Sequence, residues 1–125
     1  MIMIDTDILI WILRGKEEIL DKFRLKVIES KGFLYITPIQ IVEIFAGLRD
    51  NERLKTEKFL ESFQIIPINL EIGKLAGFFI QKYKKSYNLA LSDCIIGAST
   101  EINNLKLWTL NKKHYPMINS IDFVE

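Results

Sequence analysis

Four carboxylates stand where the chain changes from one kind of element to another. Asp5 closes the apolar run Ile2-Met3-Ile4, and Asp7 follows it by two residues. Glu43 lies inside Ile39-Gln40-Ile41-Val42-Glu43-Ile44-Phe45-Ala46-Gly47, and Asp93 follows Ser92 at the head of a second apolar stretch. Hydroxyls and an amide accompany them: Thr6 beside the aspartates, Thr37 ahead of Glu43, and Thr109 and Asn111 after Lys106-Leu107-Trp108. Gathered in one cleft, such acids repel. Two like charges at ~4 Å cost about 4 kcal/mol at an effective dielectric near 20. The motifs hold no dedicated Lys or Arg to offset this, so a hard divalent cation with oxygen ligands is the natural counterion. Mg²⁺ or Mn²⁺ suits carboxylate and water ligation. Such an ion beside an open cleft suits phosphate-ester hydrolysis, because it generates the nucleophile and neutralises charge developing on the phosphorus oxygens. The single histidine, His114, argues against a His-rich transition-metal site.

Each acid also has an ordinary explanation. Asp5 could be a turn former or cap, and Asp7 a helix N-cap. Glu43 could lie on a wet helix face, although Ala46 and Gly47 one turn away would leave room above it. Asp93 could complement a helix dipole, and Asn111 could be a turn residue. Only their joint placement argues for a site, and that depends on the elements that carry them.

Ile2 to Asp5 reads as a buried strand. Thr6 or Asp7 can cap a short helix through Ile8, Leu9, Ile10, Trp11 and Leu13, closed by Gly15. Leu20, Phe23, Val27 and Ile28 keep helical spacing from Glu17 to Lys31. Phe33-Leu34-Tyr35-Ile36 is a second strand. Thr37 caps the next helix with Pro38 at its first position. A charged helix follows from Asn51 to Ser62, and Gln64 to Ile68 is a third strand, late or at an edge because of Pro67. Asn69 starts a long helix. Ser92 caps another, and Lys106 to Thr109 is a fourth strand. Ile121 to Val124 would add a fifth. Strands alternating with helical crossovers predict an α/β fold, three layers of α/β/α with a mainly parallel sheet of four to five strands. Ligands bind such sheets beyond the carboxyl ends of the strands, which is where these polar residues fall.

The chain has 125 residues, of which 49% are apolar and 26% charged, the balance of one folded domain over 1–125. The net charge of +1 gives no global signal for nucleic acid, so any grip on it must be local. One cysteine, Cys94, rules out an intrachain disulfide and a Cys-based zinc site. No apolar run reaches the ~18 residues of a membrane helix, and the expected location is the cytoplasm.

Four segments resemble, in order, the motifs of PIN domains: Ile2-Met3-Ile4-Asp5-Thr6-Asp7-Ile8-Leu9-Ile10, the stretch from Ile36 through Glu43 to Leu48, Leu91-Ser92-Asp93-Cys94-Ile95-Ile96-Gly97-Ala98-Ser99, and Leu107-Trp108-Thr109-Leu110-Asn111-Lys112-Lys113-His114-Tyr115. Length and motif order look most like the VapC toxins of bacterial and archaeal toxin–antitoxin pairs. The resemblance implies a Mg²⁺- or Mn²⁺-dependent ribonuclease leaving a 5′-phosphate and a 3′-hydroxyl. By position it makes Asp5, Glu43 and Asp93 the catalytic acids and metal ligands. Asn111 falls where many relatives place a fourth acid, and Asp7 where they often carry Asn or Ser. Either could join the ligands. Thr6, Thr37 and Thr109 would be supports. The resemblance also implies a homodimer and a small antitoxin that covers the site.

Two clusters interleave basic groups and rings, Lys82 to Tyr87 and Lys112, Lys113, His114, Tyr115. The second, beside Asn111, is the stronger candidate for RNA; the first also reads as a solvated helix end. Phe59, Phe63, Phe78, Phe79 and Trp11 either fill the core or spill into an interface. Two other classes compete. A phosphoacceptor receiver domain would need an acceptor Asp after the third strand, where Ile66-Pro67-Ile68-Asn69 has none. A PIN-like binding module without catalysis would be consistent with Asn111.

Overall fold

The computed structural model describes residues 1–125. Four short strands form one sheet: β1 (Ile2–Ile4), β2 (Leu34–Ile36), β3 (Gln64–Ile65) and β4 (Lys106–Trp108). Their order is β3-β2-β1-β4, and every pairing is parallel. The chain therefore steps outward from β1 to β3, then returns to lay β4 on the other side of β1. That reversal opens a crevice at the carboxyl ends of β1 and β4, the place where open α/β sheets bind ligands.

Alternation along the strands sorts the core into two layers. Ile4, Leu34, Ile36 and Trp108 face one cluster, shared with Ile8, Leu9, Ile12 and Ile44. That layer holds α1 (Thr6–Leu13), α2 (Glu17–Ser30), α3 (Pro38–Ala46) and α4 (Arg53–Glu61). Met3 and Leu107 face the opposite way, against Ile96, Leu105, Tyr115 and Phe123. There α5 (Leu70–Tyr87) packs on α6 (Leu91–Ile102) through Ile72, Ala76, Phe79, Cys94 and Ala98. The result is the expected three-layer α/β/α arrangement. Helix α6 is buried over most of its circumference, and a Cβ at Gly97 would stand 2.9 Å from Met117 Sδ. Ser99 and Thr100 turn their hydroxyls back onto the Ile95 and Ile96 carbonyls, which satisfies them within the helix.

Several expectations are corrected. The fifth strand does not form. Residues Ser120–Asp122 make a 3-10 turn, and only Phe123 bridges Leu107. The third strand stops at Ile65; the Ile66 N–H makes a last bond to the Ile36 carbonyl at 2.8 Å, where its only partner strand β2 also ends. The cap of α1 is neither Thr6 nor Asp7 but Asp5, whose carboxylate accepts from the Thr6 N–H at 2.8 Å. Ser92 does not cap α6, since Ala90 stands at that position with no side-chain bond. The Thr37 cap is as read, and Asn69, which starts the long helix as expected, is its N-cap. Of the rings considered as surplus, Phe63 and Phe79 are buried, and Phe59 meets Phe63 edge-on at 5.1 Å. Trp11 is half-buried, with Lys16 Nζ 4.4 Å from its ring centre. Only Phe78 stays mostly outside.

Candidate active site

The crevice between β1 and β4 is closed at the bottom by one threonine. Thr109, buried at the end of β4, donates its hydroxyl to Asp5 Oδ2 at 2.8 Å and reaches Asp7 Oδ2 at 3.4 Å. The strand pairing sets this up, because the Asp5 N–H donates to the Trp108 carbonyl at 2.9 Å. Asp7 Oδ2 also accepts from the Leu110 N–H at 3.0 Å and from Asn111 Nδ2 at 3.1 Å. Asn111 thus uses its amide to hold Asp7.

Helix α3 delivers Glu43 to the other wall. Thr6 donates its hydroxyl to Glu43 Oε1 at 2.7 Å, which ties the start of α1 to the middle of α3. Glu43 is otherwise exposed, and it lines a cleft of about 530 Å³ with Arg14, Gly47 and Lys55. Gly47 supplies the room anticipated beside Glu43; Ala46 does not border the cleft.

Asp93 enters from the first turn of α6, where the helix dipole favours an anion. The Tyr115 hydroxyl donates to Asp93 Oδ1 at 3.4 Å, and His114 Nδ1 lies 3.7 Å from Asp93 Oδ2. His114 is the only basic side chain paired with any of these acids.

The electrostatics record the crowding. Burial, then the Asp5 charge, pushes the Asp7 carboxyl up to about 6. Burial and Asp5 likewise push Asp93 up, with a further contribution from Glu43, while His114 and Tyr115 pull it down. Burial followed by Asp5 and Asp93 raises the Tyr115 phenol, which stays protonated as a donor. Asp93 therefore feels both Asp5 and Glu43, residues far from it in sequence.

A pH dependence follows. A carboxyl with a raised folded-state pKa holds its proton more tightly when folded, so stability is greatest below the unfolded value and falls as pH rises through the folded value. For Asp7 that window runs from 3.8 to about 6. Thermal unfolding in EDTA is expected to show declining stability between pH 4 and pH 7. Asp7→Asn should flatten that limb, even if the lost acceptor lowers the whole curve. An equally steep limb in the variant would show that Asp7 does not carry it.

Two expected site residues lie elsewhere. Thr37 is fully buried and caps α3, bonded to Gln40 and Ile39 rather than to any acid. Tyr115 is also buried, so its ring cannot stack an RNA base, and its place is under Asp93. Lys112, Lys113 and His114 are exposed.

One residue escaped the sequence reading. Gln40 is fully buried, donates Nε2 to the Ile4 carbonyl at 3.0 Å, and accepts from the Thr37 N–H at 3.0 Å and its hydroxyl at 2.5 Å. It fastens the end of β1, one residue before Asp5, to the start of the helix that carries Glu43. The signal was present: Thr37-Pro38-Ile39-Gln40 is a capping-box spacing.

A twisted parallel sheet with acids at its switch point defines a recognisable class. The family model for the PIN domain matches residues 2–117, and the chain belongs to the PIN domain family. Within it, the chain is similar to VapC proteins. Ribonuclease VapC10 of Mycobacterium tuberculosis is 34% identical over 122 residues, covering 97% of this chain and 90% of the relative. Ribonuclease VapC1 of Rickettsia felis is 28% identical over 130 residues, covering 97% and 92%. A solved toxin–antitoxin complex from Klebsiella pneumoniae contains a chain that matches with a TM-score of 0.79 at 26% identity, covering 100% of this chain and 97% of that one. DNA-bound VapBC from Salmonella typhimurium matches with a TM-score of 0.79 at 20% identity over 94% of each chain, a likeness of fold.

Proposed function

We propose that residues 1–125 act as one metal-dependent endoribonuclease domain, the toxin of a toxin–antitoxin pair. The observation that carries the reading is that Asp93 feels the charges of both Asp5 and Glu43, with His114 as its only basic partner. The VapC relatives and the toxin–antitoxin neighbours support it.

The donor set fits a hard cation. It is all oxygen, and Asp5 and Asp93 both press on the Tyr115 hydroxyl. No three of these side chains stand close enough to enclose an ion by themselves. Mg²⁺ ordinarily keeps several waters, so two or three carboxylates at an open crevice are sufficient. Asp5, Asp93 and Glu43 would hold Mg²⁺ or Mn²⁺, with Asp7 beside them. When bound, the ion supplies Lewis-acid stabilisation of phosphodiester hydrolysis.

The chain's own groups do the positioning. Thr109 fixes the Asp5 carboxylate from below, and Thr6 fixes Glu43 from the side. Tyr115 and His114 turn Asp93. Asn111 uses its amide on Asp7, so it serves here as a support and not as an additional charge. The reading places the work in the cytoplasm, where RNA is at hand, in a homodimer with a small antitoxin as partner. No helix is long and apolar enough to cross a membrane.

An RNase assay on single-stranded RNA tests this directly. Activity is expected to vanish in EDTA and to return with Mg²⁺ or Mn²⁺. Cleavage that persists in EDTA would remove the metal-dependent reading, and no cleavage with either ion would favour the binding-module alternative.

A further inference from the structure

A second cleft, of about 580 Å³, opens beside Asp93. Its walls are Tyr87 at the end of α5, Lys112, Lys113 and His114 on the turn after β4, and Ile118 and Phe123 from the C-terminal segment. No carboxylate borders it. His114 belongs to both places, lining this cleft while Nδ1 lies 3.7 Å from Asp93 Oδ2. A chain occupying the cleft would therefore run directly onto the acid crevice.

Each wall has a definite chemistry. The Tyr87 ring is 52% exposed, and Tyr83 meets it edge-on with centres 5.8 Å apart. Tyr83 itself packs against the α5–α6 core, so Tyr87 is propped from one side and open on the other. Lys112 Nζ sits 5.5 Å from the centre of the Phe123 ring, which holds that cation at the rim. Neither Lys112 nor Lys113 has a carboxylate partner. Lys22 lies close enough to feel Lys112, and burial together with Lys26 and Lys112 pushes its ammonium pKa down. The Glu125 carboxylate opposes them at Lys22, so the positive charge at the cleft itself is carried by Lys112 and Lys113.

We propose that this cleft is a nucleotide subsite for single-stranded RNA, in which Tyr87 stacks one unpaired base and Lys112 and Lys113 neutralise the two adjoining phosphates. The proposal rests on the ribonuclease reading and specifies how that site tells single strands from duplexes. A ring beside paired cations matches the way single-stranded nucleic acid is held: stacking needs a splayed base, and the cations follow the backbone. A base already paired in A-form RNA offers no free face to Tyr87. An acidic protein would satisfy the lysines but has no use for an open ring.

Binding measured in EDTA separates this from catalysis. A short fluorescein-labelled single-stranded RNA is titrated by anisotropy against the full chain, beside the same sequence as a duplex and a poly-glutamate peptide. The single strand is expected to bind best. Tyr87→Ala should weaken it by about tenfold or more, and Tyr87→Phe should keep parent affinity within about twofold. Lys112→Glu with Lys113→Glu should weaken it further and reduce the salt slope by about 1.4, the share of two phosphates on a single strand. In the cleavage assay, Tyr87→Ala should raise KM and leave kcat near the parent value. Equal binding of duplex or poly-glutamate, or indifference to Tyr87→Ala, would overturn the subsite while leaving the ribonuclease reading intact. The expected binding pattern with no cleavage under any divalent ion would sink the ribonuclease reading and leave an RNA-binding cleft.

Discussion

Asp5→Asn is expected to lower RNA cleavage by about three orders of magnitude or more while the fold survives, and Asp93→Asn to do the same. The fold should survive because Asn is as good an N-cap as Asp, so the bond to the Thr6 N–H is kept. Thr109 can accept from the new amide where it now donates to Oδ2. What disappears is one of the charges that would hold the divalent ion, and ~4 kcal/mol of transition-state stabilisation corresponds to about a thousandfold in rate. Asp5 is only 7% exposed and raises the carboxyls of both Asp7 and Asp93. Neutralising it therefore relieves repulsion in the metal-free protein. Unfolding in EDTA should show the variant as stable as the parent or more so, whereas Mg²⁺ should stabilise the parent alone. Parent-level Mg²⁺-dependent cleavage by both variants would refute the site assignment. A large loss of stability in EDTA would mean that Asp5 is a structural residue first.

Gln40→Leu should produce the second large effect, this time on stability. Leucine fills a similar volume but leaves the Ile4 carbonyl and the Thr37 N–H without partners in a buried place. An orphaned buried group costs about 1–3 kcal/mol, so the expected loss is roughly 2–4 kcal/mol. Urea unfolding would show a lower midpoint at an unchanged slope. The bond that vanishes also ties Asp5 to the helix of Glu43, so residual folded enzyme should cut RNA more slowly than the parent. A midpoint within ~0.3 kcal/mol of the parent would mean that water replaces the side chain freely.

Much of this was legible in the residues. Short β-branched runs bounded by polar residues gave the four strands, and apolar spacing of 3.6 gave the helices. Asp5, Glu43 and Asp93 stand out because open parallel sheets bind ligands beyond the carboxyl ends of their strands, and acids gathered there need a counterion. The errors have physical causes. Ile121 to Val124 looks like a strand by composition, yet only Phe123 reaches the sheet and the preceding residues turn in a 3-10 coil. Thr6 and Asp7 are ordinary caps by type, but β1 ends one residue earlier than Asp5, which leaves Asp5 to cap and lets Thr6 turn to Glu43. Tyr115 sits in a basic run that reads as exposed. The chain folds back after His114 and buries it, a tertiary event that no local pattern encodes. Nothing in composition marks Gln40 among its isoleucines as buried; only its spacing from Thr37 marks it as an internal clasp.

The sheet order has a consequence for biosynthesis. Strand β1 is made first, yet its second neighbour, β4, is made near the end, and Thr109 reaches back to Asp5 from there. A chain emerging from the ribosome from its N-terminus exposes Asp5 and Glu43 long before the last strand can dock beside them. On the proposed reading, the crevice stays incomplete until Thr109 has docked beneath Asp5. A transcript broken upstream of the β4 codons would yield only fragments that lack Thr109, the floor of the proposed site.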